Sequence, residues 1–244
     1  MAGPGVTVIA GGGDAGRLER ELEVLAGSAT AILSSGLAGA LDPSLKVGDV
    51  VIGECSVPLP STVLPERSRD SSSSEVEKKP RLRSAAPLDC ARGERELALA
   101  DRLKQLIQGA RMGMITGSDY PFATAEMKAD LFAESGALAV DMESHVAACV
   151  AKRHGLPFAA LRVVSDAADT TLPPAALAGM RPDGGIAIGA VIASLVQNPA
   201  QLPALIRTAR DAEKAFRALR RVHDTLRCFG IGGLDSGKLA LDMA

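Results

Sequence analysis

The sequence has few aromatic residues and almost no net charge, and both shortages argue against nucleic-acid binding. Aromatic side chains make up 2% of the 244 residues, with no tryptophan and one tyrosine, so no stacking platform for single strands is evident. The formal net charge is -2 and both signs are scattered along the chain. Because phosphate backbones attract concentrated positive charge, we expect no DNA or RNA partner.

Cysteine is also scarce, and its spacing does not indicate a metal centre. The four cysteines, Cys55, Cys90, Cys149 and Cys228, are widely separated and form no CxxC or Cys/His metal spacing. We predict free, buried thiols without a disulfide or a metal.

No hydrophobic run is long enough to span a bilayer. The longest, residues 186–196, is well short of the roughly 20 residues that a transmembrane helix needs. We predict a buried helix there. The first residues, MAGPGVTVIAGGG, lack the basic leader and apolar segment of a secretory signal. The predicted location is therefore the cytoplasm, without stable membrane insertion.

Apolar strand-like runs alternate with amphipathic segments over most of the chain. VTVIA, at residues 6–10, stops at three glycines, and LERELEVL then has helical spacing. TAILSS is predicted to be the next strand, followed by a glycine-rich connection, GLAGALDPSLKVGD. Further strands are predicted at VVIGECSV, GMIT, ALAV and FAALRVVS. This alternation predicts a three-layer α/β/α fold with a central mixed, mostly parallel sheet.

The 47% hydrophobic content of the chain is enough for one domain spanning residues 1–244. Residues 65–84 are rich in Ser, Pro and charge and have no apolar period, which predicts a mobile surface loop within that domain. Helices are predicted at 184–197 and 201–226. The C-terminal CFGIGGLDSGKLALDMA fits either core or disorder.

Polar segments follow three of the predicted strands. Ligands of open α/β sheets bind beyond the carboxyl ends of strands, so SSGLAGALDP, DMESH and SDAADTT are candidate site segments. Glu143 and Asp166 both lie at such strand ends, which suggests two carboxylates at one pocket. Each segment alone also has a structural explanation, because glycines form turns and acidic or hydroxyl residues cap helices.

Four segments together resemble a known superfamily. SSGLAGALDPSLKVGDVVI, TGSDYPF, AVDMESHVAA and PFAALRVVSDAAD occur in the order and spacing of the purine nucleoside phosphorylase superfamily. Within it, the chain looks like the methylthioadenosine and adenosylhomocysteine nucleosidases, and most like the hopanoid-associated phosphorylases, whose AGSD and VDMESH segments it nearly reproduces. The resemblance covers nearly the whole chain.

The resemblance implies a homo-oligomeric enzyme that cleaves the bond between ribose and a purine, most specifically adenine. Its small-molecule substrate is an adenine nucleoside, and adenosylhopane, a lipid-linked one, is the specific hypothesis. The products would be adenine and ribosylhopane or its phosphate. A methylthioadenosine or adenosylhomocysteine nucleosidase and a catalytically weak nucleoside-binding protein are the alternatives. No cofactor or metal is implied, and phosphate is a co-substrate only if the reaction is phosphorolytic.

The resemblance also assigns roles to the two carboxylates. Asp166 matches the general acid that protonates purine N7, which turns a poor leaving group into a neutral one. An aspartic acid in water has a pKa of about 3.9, so the site must either raise that value by burial or deliver the proton in the substrate complex. Glu143 matches the carboxylate that accepts hydrogen bonds from the 2' and 3' hydroxyls and favours the cationic ribose of the transition state.

Further substrate contacts follow from the same resemblance. Met142 matches a methionine that packs against the sugar, and Phe122 falls near the position that contacts the base. For both, ordinary core packing is the alternative. The other predicted substrate-binding residues are Ser165, Ser118, Gly36 and Leu37.

The sequence departs from the superfamily at two places. Its members begin with an additional strand that carries a glycine for phosphate or water and, in hydrolytic members, a water-activating glutamate; nothing here corresponds to it. Phosphorolytic members often have an Arg at the position of Ser34 and a hydroxyl residue at that of Leu37. The sequence therefore leaves hydrolysis and phosphorolysis open.

Overall fold

The computed structural model describes residues 6–11, 14–56, 99–179 and 187–228, and the backbone of 238–243. The strands are β1 (Val6–Ala10), β2 (Ala29–Ala40), β3 (Val50–Gly53), β4 (Cys55–Ser56), β5 (Arg111–Met112), β6 (Ile115–Gly117), β7 (Ala139–Asp141), β8 (Phe158–Asp166) and β9 (Lys238–Met243). The helices are α1 (Ala15–Ala26), α2 (residues 99–106), α3 (Ala125–Ser135), α4 (Ser144–His154), α5 (Pro174–Gly179), α6 (Ile188–Gln197) and α7 (Leu202–Cys228).

The nine described strands form one sheet, in which β4-β6-β7-β2-β8-β3-β5 is the main path. Strand β9 pairs with β2 and with β1. Only β2–β7 and β3–β8 are antiparallel among the described pairs, and the others are parallel. The predicted mixed, mostly parallel sheet is confirmed.

Helices cover both faces of this sheet. On one face α1 and α4 contribute Leu18, Leu22 and Val150 to a buried cluster. On the other face α2 and α7 contribute Leu103 and Leu219 to a second cluster. The predicted three-layer architecture is therefore confirmed.

Local sequence signals set several helix ends. The side chain of Thr124 accepts a hydrogen bond from the Met127 amide at 3.2 Å and so caps the start of α3. Helix α4 ends before Gly155, which has a φ of 65°, a conformation that a residue with a Cβ rarely adopts.

The prediction that a glycine-rich connection begins at Gly36 is wrong, because β2 continues to Ala40. Gly36 pairs with Arg162 of β8, and Gly39 pairs with both Asp166 of β8 and Val140 of β7. Backbone pairing on both edges thus offsets the low strand propensity of glycine and alanine.

The prediction of a buried helix over residues 186–196 is also wrong. Helix α6 has no buried residue, and Ile188, Ile192 and Val196 are 67%, 55% and 77% exposed. An apolar composition favours burial but does not specify which surface covers a helix. A short helix, α5, lies between β8 and α6.

The C-terminal segment contributes a strand that the sequence did not predict. Residues 238–243 of β9 pair in parallel with β1 on one edge and with the first half of β2 on the other. Strand β9 therefore lies between β1 and the first half of β2 in the sheet. The loop predicted at 65–84 and Cys90 lie outside the described residues.

Within the described residues, no helix is long and apolar enough to cross a membrane. Three free cysteines are described there. Cys55 and Cys149 are partly buried, but Cys228 is exposed, contrary to the prediction of buried thiols throughout.

Candidate active site

Strands β7 and β8 both end beside Gly39 of β2, on opposite edges of that strand. Gly39 pairs with Val140 of β7 on one side and with Asp166 of β8 on the other. Strand β7 runs antiparallel to β2 whereas β8 runs parallel to it, so the two strands approach this level from opposite directions. Adjacent strands lie about 4.8 Å apart, so the two ends lie about 10 Å apart across β2. This juxtaposition brings the segments that carry Glu143 and Asp166 together.

Asp166 lies against the backbone of β2 at the end of β8. A Cβ added at Gly39 would be 3.1 Å from Asp166 Oδ2, so a glycine here allows the carboxylate to approach closely. Ser165 Oγ lies 2.8 Å from Asp166 Oδ1 and 3.1 Å from the Ala38 carbonyl oxygen. The predicted pair Ser165 and Asp166 thus forms one hydrogen-bonded unit with the C-terminal end of β2.

Lys128 of α3 is the direct partner of Asp166. Its Nζ donates to Asp166 Oδ2 and to the carbonyl oxygens of Ala167 and Thr170, at 3.0 and 2.9 Å for the two carbonyls. The Lys128 side chain is 0% exposed and that of Asp166 is 14% exposed. A lysine that is removed from water in this way needs such partners, because burying an unpaired charge is costly.

A second buried ion pair supports the end of β7. Arg162, in the middle of β8, donates through Nε and Nη2 to Asp141 and through Nη2 to Ser34 Oγ at 2.6 Å. Asp141 also accepts from the amide of Ser144 at 3.0 Å and from its hydroxyl. This network ties β2, β7, β8 and the start of α4 together beneath the site.

Cys55 lies beside this network. Its Sγ is 3.0 Å from Ser144 Oγ. Burial raises the pKa of the Cys55 thiol to about 12, and the negative charge of Asp141 adds to this effect. Cys55 therefore stays a thiol and is a poor nucleophile.

Glu143 and Met142 follow β7 directly and are half-buried. Glu143 is the N-cap residue of α4, where its carbonyl oxygen accepts from the Val146 amide at 3.0 Å. Its carboxylate makes no capping bond. Asp141 accepts from the Ser144 amide at the start of α4 instead, so an acidic side chain of the DMESH segment does have the structural role of a helix cap.

The segment between β6 and α3 lies next to β7. The Ser118 amide donates to the Asp141 carbonyl oxygen at 2.9 Å, while the Ser118 hydroxyl is engaged with the backbone of Tyr120. Phe122 is half-buried against a small cluster that includes Leu41 and Leu131. The loop after β8 joins this segment, since the Leu172 amide donates to the Ala123 carbonyl oxygen at 2.8 Å.

Gly36 and Leu37 lie farther back along β2 than Gly39. Gly36 is buried opposite Arg162, and Leu37 packs against the core cluster on the α2 and α7 face. The structure therefore joins Asp166, Ser165 and the Glu143 segment, with Ser118 and Phe122 beside them, whereas the half-buried Leu37 packs against the core cluster.

Sequence reasoning missed Lys128, Arg162 and His145. Arg162 interrupts an otherwise apolar strand, and Lys128 precedes the buried Leu131 by three residues on one helical face. The interruption at Arg162 was a signal of a buried charge, whereas the helical spacing of Lys128 does not distinguish a buried lysine from an exposed one. His145 is buried, its Nε2 lies 3.1 Å from Asp119 Oδ1, and its Nδ1 has no hydrogen-bond partner in the structure.

A comparison with protein families decides the family. The family model of the phosphorylase superfamily matches residues 13–197, about three quarters of the chain. The chain belongs to this superfamily. The predicted membership is confirmed.

Several solved structures also resemble this chain, at low sequence identity. A structure of S-adenosylhomocysteine nucleosidase from Streptococcus pyogenes, in complex with 5-methylthiotubericidin, is 22% identical, with a TM-score of 0.45 over 65% of each chain. The match thus spans less than two thirds of that protein. Futalosine hydrolase of Helicobacter pylori is 22% identical, with a TM-score of 0.44 over 86% of this chain and 76% of its own. A putative 5'-methylthioadenosine/S-adenosylhomocysteine nucleosidase from Francisella philomiragia is 20% identical, with a TM-score of 0.48 over 86% of this chain and 74% of its own.

Proposed function

We propose that this superfamily member cleaves the N-glycosidic bond of an adenine nucleoside. The observation that supports the proposal is the meeting of the Asp166 and Glu143 segments on either side of Gly39. Glycosidic cleavage needs an acid at the leaving base and a negative charge near the cationic sugar, and carboxylates carried by two strand ends on opposite edges of β2 can serve both ends of one nucleoside.

In this mechanism Asp166 acts on the base. As the bond between C1' and N9 lengthens, Asp166 gives a proton to purine N7 and accepts a hydrogen bond from the 6-amino group. A 6-oxo purine has no donor at that position, so adenosine compounds should react better than inosine compounds. Equal specificity constants for the two would contradict this role.

Glu143 acts on the sugar in the same proposal. Its carboxylate accepts hydrogen bonds from the 2' and 3' hydroxyls, and its charge stabilises the oxocarbenium-like ribose. Met142, next to it in the chain, packs against the ribose. Phe122 and Ser118 border the base.

The first experiment measures adenine release with and without phosphate. Asp166→Asn should lower turnover about 100- to 10,000-fold with the fold intact, because it removes the proton donor. Asp169→Asn is the matched control, since Asp169 is an exposed acid in the loop that follows. A product that carries phosphate would assign phosphorolysis, and free sugar would assign hydrolysis. No adenine release under either condition would favour the nucleoside-binding protein.

The specific substrate that we propose is an adenosine with a large apolar 5' group, with adenosylhopane as the example. The sequence resemblance to the hopanoid-associated branch supports this choice. Each methylene removed from water adds about 0.8 kcal/mol, so a series of 5'-alkylthioadenosines should bind more tightly as the chain lengthens. A steep loss of affinity beyond ethyl would instead favour a methylthioadenosine or adenosylhomocysteine nucleosidase.

The same resemblance supports a homo-oligomer, in which a neighbouring subunit helps to close the site. Sedimentation of the full chain tests this. A monomer at working concentrations would contradict it.

A further inference from the structure

We propose that Lys128 is the positioning residue of Asp166 and the source of the proton that Asp166 delivers to the base. The inference rests on the proposed function, and it assigns a part of that site which the sequence did not indicate. Lys128 acts through Asp166 and does not touch the substrate.

The geometry around the Lys128 ammonium supports this role. All three of its donors are used, one on Asp166 Oδ2 and two on the carbonyl oxygens of Ala167 and Thr170. The two carbonyls belong to the loop that follows Asp166, so Lys128 fixes both the carboxylate and the backbone behind it. Ser165 occupies the other carboxylate oxygen.

The groups around the Lys128–Asp166 pair do not share its proton, so we treat the two side chains as holding one proton between them. Gly39 of β2 and Ser165 of β8 are uncharged, and Asp169 in the following loop is exposed. Glu126 and Asp130, on α3 itself, are also exposed, and Glu143 lies across β2. The direct ion pair of Lys128 among the described residues is the one with Asp166.

Substrate binding would release that proton. An ammonium and a carboxylate are favoured while water reaches them, but removal of water favours the neutral amine and acid. Asp166 retains 14% exposure in this structure, and a bound purine would cover what remains. The proton then moves from Lys128 Nζ to Asp166 as the site closes.

The proton balance of the step is complete. The N–H bond of Lys128 breaks as Asp166 becomes protonated, and Asp166 passes a proton to N7 while the electron pair of the C1'–N9 bond goes to the purine. The nucleophile, water or phosphate, adds to C1'. The nucleophile, whether water or hydrogen phosphate, loses one proton to solvent, and Lys128 regains one from solvent.

The pH dependence of kcat for adenine release tests the inference. With an internal proton source, the wild-type kcat should stay flat between pH 6 and 8. A wild-type kcat that falls tenfold per pH unit over this range would overturn the proposal without any variant. Absence of adenine release at every pH would instead reject the proposed function, so the two failures are distinguishable.

Variants of Lys128 sharpen the test. In Lys128→Met, Asp166 must take its proton from solvent, so kcat at pH 7 should be about 100- to 1,000-fold lower than in the wild type. It should fall a further tenfold for each unit that the pH rises, while KM stays within threefold of the wild-type value. Lys128→Arg keeps the charge but cannot release a proton, so it should show the same slope. Lys152→Met, at an exposed lysine of α4, is the control. A Lys128→Arg profile parallel to wild type would mean that the lysine only positions Asp166, which overturns the proton-source role.

Discussion

Removal of the buried charge of Asp141 should strongly destabilise the fold. Asp141 and Arg162 have side-chain exposures of 1% and 0%, and they form a direct ion pair. In Asp141→Asn, the guanidinium keeps its contacts with Ser34 and the Leu161 carbonyl oxygen but loses the buried negative charge of Asp141. Breaking such a buried pair costs about 3–5 kcal/mol.

This loss can be measured as a change in unfolding temperature. For a domain of 150–250 residues, 1 kcal/mol corresponds to about 2–4 °C, so the midpoint should fall by roughly 6–20 °C. Urea unfolding at constant m value gives the free energy directly. Arg153→Ala is the control, because Arg153 pairs with Glu19 and Glu23 at the surface and should change neither quantity measurably.

A double variant separates charge from packing. Asp141→Leu with Arg162→Met removes both charges and fills a similar volume, so it should recover most of the lost stability. About 1 kcal/mol should remain lost, since Asp141 also accepts the Ser144 amide at the start of α4. An Asp141→Asn variant as stable as the surface control would refute the reasoning.

Three further outcomes are expected. Glu143→Gln should lower kcat/KM for ribosides more than for 2'-deoxyribosides, by about 1.5–3 kcal/mol, because the latter lack one of the hydroxyls that we propose it binds; equal losses in kcat/KM would show that it does not contact the sugar edge. Burial lowers the pKa of His223 below its usual 6.5, so the unfolded chain binds the proton first and the free energy of unfolding should fall as pH drops below about 6.5. His223→Gln should flatten that fall in thermal unfolding, and an unchanged slope would exclude His223 as its cause. Because the pKa of Cys55 is raised to about 12, alkylation at pH 8 should label the exposed Cys228 much faster than Cys55, as peptide mapping would show; equal labelling would contradict the burial of Cys55.

The site could be predicted in outline because its signals are local. Asp166 and Glu143 follow apolar strands directly, and the resemblance of their segments to a known superfamily assigned them roles that remain to be tested. Thr124 and Gly155 marked helix ends through side-chain capping and left-handed backbone geometry. The partners of the carboxylates could not be predicted. Lys128 stands 38 residues before Asp166, and nothing in its helix distinguishes a lysine that reaches a buried carboxylate from one that faces solvent.

By itself the sequence determined the strand and helix alternation, the three layers and the superfamily, since these follow from local periodicity and contiguous motifs. Only the tertiary structure decided that β2 continues through Gly39 and that β9 pairs with β1 and β2. It also decided that α6 is exposed and that Lys128 and Arg162 are buried and form ion pairs with aspartates. These features depend on which distant segments become neighbours, and neither hydrophobic periodicity nor local propensity encodes that choice.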